Sequence, residues 1–454
     1  MLKNIFKVIE SDFNIRTVIL IVFLIFLSSI LEIFSISIII PLISSFTVNN
    51  IEDVIFYEII NSVYSIKSKE IFLKIIIFGL LFFFTLKFVY MVFLTIKLNK
   101  FIAEANRLLP IKLLNIYLKK NYEWLTNENR SNFIHIVFGE VNNFCGNALY
   151  GLLFLATEIV SVLGILIILF FLNTKVFLTI FIISLIFFPI LYFFTKRVSY
   201  RLGQQRQQID SSLMNILTEN LKGIKEFLIY RRSKYLVDTY NQLKFKLAKV
   251  QFLHDSLQEG VRHIIEYVGV IILIIIIIIT ATTIIENDQN TIVTLGIYAI
   301  AFVRILPSLN RMSTYSQRLR YGLASADKIL TYHNEEHKDN IEKNNEIIFN
   351  EKIKFKDVCF KYKGTKNNIL EDIKFEIKKN SLIGIIGESG SGKTTLTNLI
   401  MNLVKPSSGI IEVDGKDIYK DKLSIQNQIG FVSQNFFALD DTVINNIVLG
   451  DDKI

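Results

Sequence analysis

The chain has 454 residues, 51% of them hydrophobic, and a formal net charge of +9. That length exceeds one ordinary domain, and two cysteines, Cys145 and Cys359, are too few and too distant for a disulfide framework or a zinc site. The positive charge does not point to nucleic acid. The basic residues cluster between long apolar runs, as on the cytoplasmic loops of an inner-membrane protein.

The first stretch, MLKNIFKVIESDFNIR, lacks the small-residue cleavage site of a secretory signal and reads as an interfacial amphipathic helix. Apolar runs then predict six membrane spans: Val18–Ile40, Ile71–Ile96, Ala148–Leu172, Val176–Phe194, Ile264–Ile285 and Thr291–Leu306. Between the first two, Ile55, Ile59, Val63 and Ile66 recur at helical spacing within Ile51–Ile66. That segment is either an amphipathic helix on the outer leaflet or a loop packed on the bundle.

Spans three and four are separated only by Asn173-Thr174-Lys175, and spans five and six by ENDQN. By contrast, Lys97–Asn147 and Thr195–His263 are long and rich in Lys and Arg. The positive-inside bias puts both long segments and both termini in the cytoplasm. Each segment has the length of a helical hairpin reaching roughly 37 Å below the bilayer. The hairpin tips fall near Thr126–Val137 and Leu217–Leu228, as solvated helix or as docking elements. The run IILIIIIII in span five reflects composition alone.

Charges inside spans are expensive and usually functional. Lys87 lies mid-span, Arg262 stands at the entry to span five, and Arg304, Arg311 and Arg318 recur at intervals of seven on nearly one helix face. Facing a common cavity, they would receive an anion such as a pyrophosphate. The competing arrangement is internal pairing with Glu32, Glu158 or Glu266.

Around Tyr332–Asn350 the chain turns polar and reads as a linker. The domain boundaries read from the sequence are 1–330 for the membrane region, 331–350 for the linker and 351–454 for a soluble α/β domain. Strand-like runs IKFKDVCFKY, IKFEI and SLIGIIG open that domain. The last run supplies a buried strand, Leu382–Ile386, ahead of Gly387-Glu388-Ser389-Gly390-Ser391-Gly392-Lys393-Thr394-Thr395, and a helix-periodic stretch follows. Strand, glycine loop and helix in that order form a phosphate cradle: backbone N–H groups turn inward and the helix N-terminus favours negative charge. Lys393 would reach the β- and γ-phosphates, and the Thr394 hydroxyl would ligate Mg²⁺. Upstream, Tyr362 is either an ordinary strand residue or an adenine platform. Downstream, Asp414-Gly415 marks a hairpin, and a strand beginning IGFVS ends in Gln434.

Taken together, Tyr362, the loop Gly387–Thr394 and Gln434 resemble the nucleotide-binding domain of ATP-binding-cassette transporters. The six-span region with two inner hairpins is similar to the membrane half of exporters of that family. The resemblance implies an all-α six-helix transmembrane bundle of the type I exporter fold, followed by an incomplete α/β P-loop domain. It implies ATP and Mg²⁺ as ligands, with Tyr362 stacked on adenine and Gln434 at the Mg²⁺ and γ-phosphate. It also makes the hairpin tips coupling helices. The implied partners are membrane lipids and a second copy of the chain, and the implied location is the inner (plasma) membrane.

The pattern departs from the family after Gln434. The LSGGQ-type signature, the Walker B acids and the switch histidine that follow the Q-loop elsewhere do not occur in this sequence. Lacking a carboxylate to polarise water, the chain alone is expected not to hydrolyse ATP productively. Among exporters, the outer segment Ile51–Ile66, the cations Lys87, Arg262, Arg304 and Arg311, and Pro307 placed to kink the sixth helix most resemble flippases of lipid-linked oligosaccharides. Exporters of drugs, other lipids or peptides share the architecture. A non-catalytic nucleotide-binding membrane protein and a membrane-tethered P-loop kinase are the readings from other classes.

Overall fold

The structure is a computed structural model. It describes residues 15–39, 68–172, 174–283, 289–334, 345–362, 364–365, 367–420, 423–434 and 438–448, with isolated positions before residue 62. Apart from isolated positions, the predicted outer segment Ile51–Ile66 lies outside the described residues, as do residues 286–288 of the ENDQN turn and most of the linker. Two compact units are present: Met1–Leu118 with Asn129–Glu336, and Lys119–Glu128 with His337–Ile454.

In chain order the helices are α1 (Ile15–Ser37), α2 (Lys69–Leu118), α3 (Tyr122–Asn127), α4 (Arg130–His135), α5 (Tyr150–Leu172), α6 (Thr174–Lys222), α7 (Ile224–Ile229), α8 (Ser233–Thr283) and α9 (Gln289–Asn334). Among the described residues, Ile15–Phe34, Lys69–Leu118 and Arg130–Phe171 are long and apolar enough to cross a membrane. The other three predicted spans fall on α6, α8 and α9. These helices hold 49, 51 and 46 residues, roughly 70–77 Å at 1.5 Å per residue. Pro307 lies inside α9, which continues through it.

Both hairpin tips are short helices. The predicted Thr126–Val137 holds α4 and the end of α3; Asn121 caps α3 by accepting the Trp124 N–H at 2.9 Å, and the chain is extended at Glu128. Lys120 Nζ lies 5.6 Å from the Trp124 ring centroid. The second, α7, falls largely inside the predicted Leu217–Leu228.

Between α4 and α5 the helix widens into π-turns at Ile136–Glu140 and Phe144–Leu149. This segment, α5, α6 and α8 all pack on α9. The approach is close: a Cβ on Gly203 would overlap the Tyr321 carbonyl, and one on Gly322 would overlap the Ala148 amide. At the end of the first π-turn Glu140 is fully buried. It accepts from Arg206 at 3.0 Å, and Arg206 also donates to Asp210 at 3.2 Å and Ser325 at 3.0 Å. Nearby, the Tyr321 ring stacks on His254 at 4.0 Å, and burial pushes that imidazole down to about 4.

In the second unit, β2 (Lys352–Phe360) pairs antiparallel with β3 (Leu370–Lys378) and with β4 (Ser408–Val413), and β4 pairs with β5 (Lys416–Asp417). A separate parallel pair joins β1 (Asn345–Glu346) to β6 (Leu423–Ser424). Ile353 and Phe355 face the core, and a register shift before Val358 keeps Val358 and Phe360 on that side, where they meet Leu399, Ile411 and Val413. The Asp414-Gly415 turn is clasped to the start of β2: the Asp414 carboxylate accepts N–H groups of Asn350 at 2.6 Å, Glu351 at 2.9 Å and Lys352 at 2.8 Å.

Two predicted strands are corrected. Neither Leu382–Ile386 nor the run Ile429–Ser433 joins a sheet among the described residues. A run apolar on both faces needs ladder partners and cover on each side. The described sheet gives these segments neither, so Leu382, Ile386 and Val432 stand almost wholly exposed.

Burial opposes ionisation of Asp414, but the three backbone donors outweigh it and hold the carboxyl below its usual range. A depressed folded pKa contributes stability that is present above the unfolded value near 3.9 and lost as pH falls through the folded one. Asp414→Asn is therefore expected to lower the thermal midpoint of the detergent-solubilised chain by about 5 °C at pH 7. That deficit should shrink as the pH drops below about 4.

Candidate functional site

The glycine loop leads into α10 (Lys393–Ile400). Gly390 and Gly392 hold φ of 84° and 87°, the left-handed region that side chains rarely enter. A Cβ on Gly392 would also come within 2.8 Å of Leu370 Cδ2 and 3.1 Å of Ile369 Cγ2. Glycine is thus required twice over, by backbone conformation and by the strand end behind it. Residues 381–391 are exposed to solvent, so the concave side of the loop is open to a ligand.

Lys393 Nζ folds back over this loop and donates to the carbonyls of Gly387 at 2.9 Å and Glu388 at 2.6 Å. The ammonium therefore lies inside the curve, where a polyphosphate would take over its hydrogen bonds. Thr394, in the first turn of α10, is exposed, while Thr395 beside it is buried. Tyr362 belongs to the same neighbourhood. Its hydroxyl is 3.4 Å from Thr395 Oγ1, and its ring meets Phe360 edge-on at 4.9 Å. The positive-φ glycines, the inward lysine, the exposed hydroxyl and the helix N-terminus fit a nucleotide polyphosphate with Mg²⁺. Gln434 is exposed at the end of the unpaired Ile429–Ser433 run.

The intramembrane cations are each brought to a glutamate. Glu32 on α1 pairs with Lys87 on α2, and Arg304 Nη1 on α9 lies 3.7 Å from the same carboxylate. Both cations flank the Phe84 ring, at 5.9 and 5.2 Å from its centroid. Arg311 grips Glu158 with two nitrogens, at 2.5 and 3.1 Å, the bidentate geometry that suits guanidinium and carboxylate. Arg262 donates to Glu266 at 3.0 Å. Arg262 and Arg311 then line one cavity of about 440 Å³ together with Glu266, Pro307, Asn310 and Tyr315. Arg318 instead lies over the Tyr150 ring at 5.5 Å.

Of the predicted cations, Arg262 and Arg311 line one cavity, Lys87 and Arg304 share Glu32, and Arg311 lies within electrostatic reach of Lys87 and Glu32 as well. The Arg262–Glu266 pair was legible from i,i+4 spacing. No local signal marks Glu158 for Arg311 or Phe84 for Arg304, since the helices involved lie far apart in sequence.

Known proteins match both regions. The family model for the ABC transporter transmembrane region covers residues 18–306, and the model for ABC transporter covers 370–451. The ATP-dependent lipid A-core flippase of Wigglesworthia glossinidia brevipalpis is 28% identical over 278 residues, 60% of this chain and 47% of that protein. The same-named protein of Desulfotalea psychrophila is 28% identical over 300 residues, 65% and 51% of the two chains. That of Burkholderia thailandensis is 24% identical over 355 residues, 76% and 59%. The chain thus spans about half the length of these curated relatives. Among solved structures, a bacterial Atm1-family ABC exporter with ATP bound superposes with a TM-score of 0.74 at 14% identity, covering 96% of this chain and 74% of that one. At that identity the likeness concerns the fold.

Proposed function

The chain belongs to the ABC transporter family, and on that premise we propose that it serves ATP-driven export of a lipid-type cargo, specifically a lipid-linked oligosaccharide, as a homodimer in the inner membrane. The observation that carries this reading is the glycine loop with Lys393 turned into its curve, in a chain whose other unit is built of membrane-length apolar helices.

In this reading Lys393 and the first turn of α10 hold the β- and γ-phosphates, Thr394 and Gln434 hold Mg²⁺, and Tyr362 stacks on adenine. Bound ATP supplies the energy for closure of two nucleotide domains. The short tip helices α3 and α7 carry that closure to the long helices. The basic character of Lys97–Asn147 and Thr195–His263 supports cytoplasmic termini and a cytoplasmic nucleotide domain. The lipid A-core flippases among its relatives and the intramembrane cations Lys87, Arg262, Arg304 and Arg311 support a lipid with an anionic head.

Two outcomes test these statements. Lys393→Met should weaken binding of a fluorescent ATP analogue at least tenfold, measured by equilibrium titration, since a charge-assisted contact to phosphate is lost. Tyr362→Leu should weaken it about three- to tenfold, the worth of an aromatic stack, whereas Tyr362→Phe should bind as the parent does.

A further inference from the structure

We propose that the π-turn Ile136–Glu140 is an acid-operated hinge of the first hairpin: it stays closed while the His135 imidazole is neutral and opens when that ring takes up a proton from solvent.

Residues five apart on an α-helix point about 140° away from each other, at 100° per residue. His135 and Glu140 nevertheless meet, with Nε2 3.5 Å from Oε1. The π-turn joins them. Its closing bond runs from the Val141 N–H back to the Ile136 carbonyl, and the extra residue in that turn swings Glu140 towards the imidazole. Turns of this kind are rare and concentrate at functional sites. Gly139 is part of the fit, since a Cβ there would come within 3.1 Å of His135 Cδ2.

The cluster is closed to water but incompletely bonded. His135, Glu140 and Arg206 are all buried. Among the described residues, neither ring nitrogen of His135, nor Glu140 Oε1, nor Arg206 Nε has a hydrogen-bond partner. The gap of 3.5 Å between His135 and Glu140 is too long for a good hydrogen bond. A neutral imidazole tolerates such isolation. An imidazolium, with two N–H donors and a charge, does not.

His135 belongs to the basic stretch Lys97–Asn147, outside the predicted spans. Burial is the largest influence on its ring and opposes the proton, as do Arg206 on α6 and Lys328 on α9, whereas Glu140 on the turn and Asp210 on α6 favour it. The outcome is an imidazole held below its ordinary range. Asp327 on α9 is engaged by the Tyr200 hydroxyl, which donates to it at 2.9 Å. α2 packs on the turn as well, level with the Asn106–Asn142 bond of 3.0 Å. Its charged groups there are Glu104 and Arg107, which bind each other in solvent, and Lys112. A depressed histidine favours the closed turn above the open-state value near 6.5 and the open turn below it.

Opening the turn acts on two long helices. α4 ends at His135. It is tied to α6 through the Ser131 and Thr218 hydroxyls, and to α9 through the Asn132 amide, which donates to the Tyr332 hydroxyl at 3.2 Å.

The test is amide hydrogen exchange of the full detergent-solubilised chain, read by mass spectrometry, with each rate divided by the unstructured rate at the same pH. From pH 7.5 to 5.5, corrected exchange in peptides spanning 130–149 should rise about threefold or more, setting in below about 6.5. His135→Gln, uncharged throughout, should abolish the rise. His254→Gln, which removes the other buried imidazole, should keep it. A parent without the rise overturns the proposal, and so does a rise that survives in His135→Gln. An onset only below about pH 5 assigns the proton to Glu140 or Asp210 and overturns it too. Should His135→Gln not fold, the onset in the parent and the response of His254→Gln decide, and loss of the rise in His254→Gln overturns the proposal.

Discussion

Arg206 is 3% exposed, and its guanidinium is shared among Glu140, Asp210 and Ser325. Removing one partner from such a buried pair strands the other, at about 3–5 kcal/mol. The same requirement, that a charge withdrawn from water meet its opposite, recurs through the helical unit. Lys87, Arg262, Arg304 and Arg311 each find a glutamate, and the glutamates stand mostly on other helices. These pairs fix which helix faces lie together in a bundle whose apolar surfaces are nearly uniform. An Ile-rich helix has little else with which to specify its rotation, because one apolar side chain packs about as well as the next.

Much of the helical unit could be read directly. Long apolar runs announce bilayer crossings, basic stretches announce what lies between them, and the lengths of α6, α8 and α9 follow from joining the two. What eluded reading was non-local. The π-turns at Ile136–Glu140 and Phe144–Leu149 have no propensity signature; the second lies where Ala148 meets Gly322. The position of α3 rested on one capping side chain, Asn121, which a pattern of charges does not reveal. In the sheet-containing unit, β2, β3 and the glycine loop were legible from alternation and from positive-φ glycine chemistry. The runs at Leu382–Ile386 and Ile429–Ser433 carry strong β-propensity, but strands exist only where a neighbour supplies hydrogen bonds. Among the described residues, local preference there met no strand partner.

The nucleotide site illustrates the opposite case, in which nearly all the information is local. Two glycines, a lysine and a helix start suffice to define a curved chain of amide donors, because the geometry depends on φ more than on distant packing. Tertiary structure adds two details. Leu370 and Ile369 back up Gly392, and Tyr362 reaches Thr395. The first explains why the loop tolerates no side chain at that point. The second places an aromatic ring against the helix that begins the cradle.

The tip helix α3 has one more consequence. Trp124 is the sole tryptophan of the chain, and α3 groups with the sheet-containing unit although it follows α2 directly in sequence. Ultraviolet emission excited at the red edge of protein absorption therefore originates from a single six-residue element, with an ammonium 5.6 Å from the indole to tune its colour. The molecule carries its own optical gauge at the hairpin tip, needing no dye.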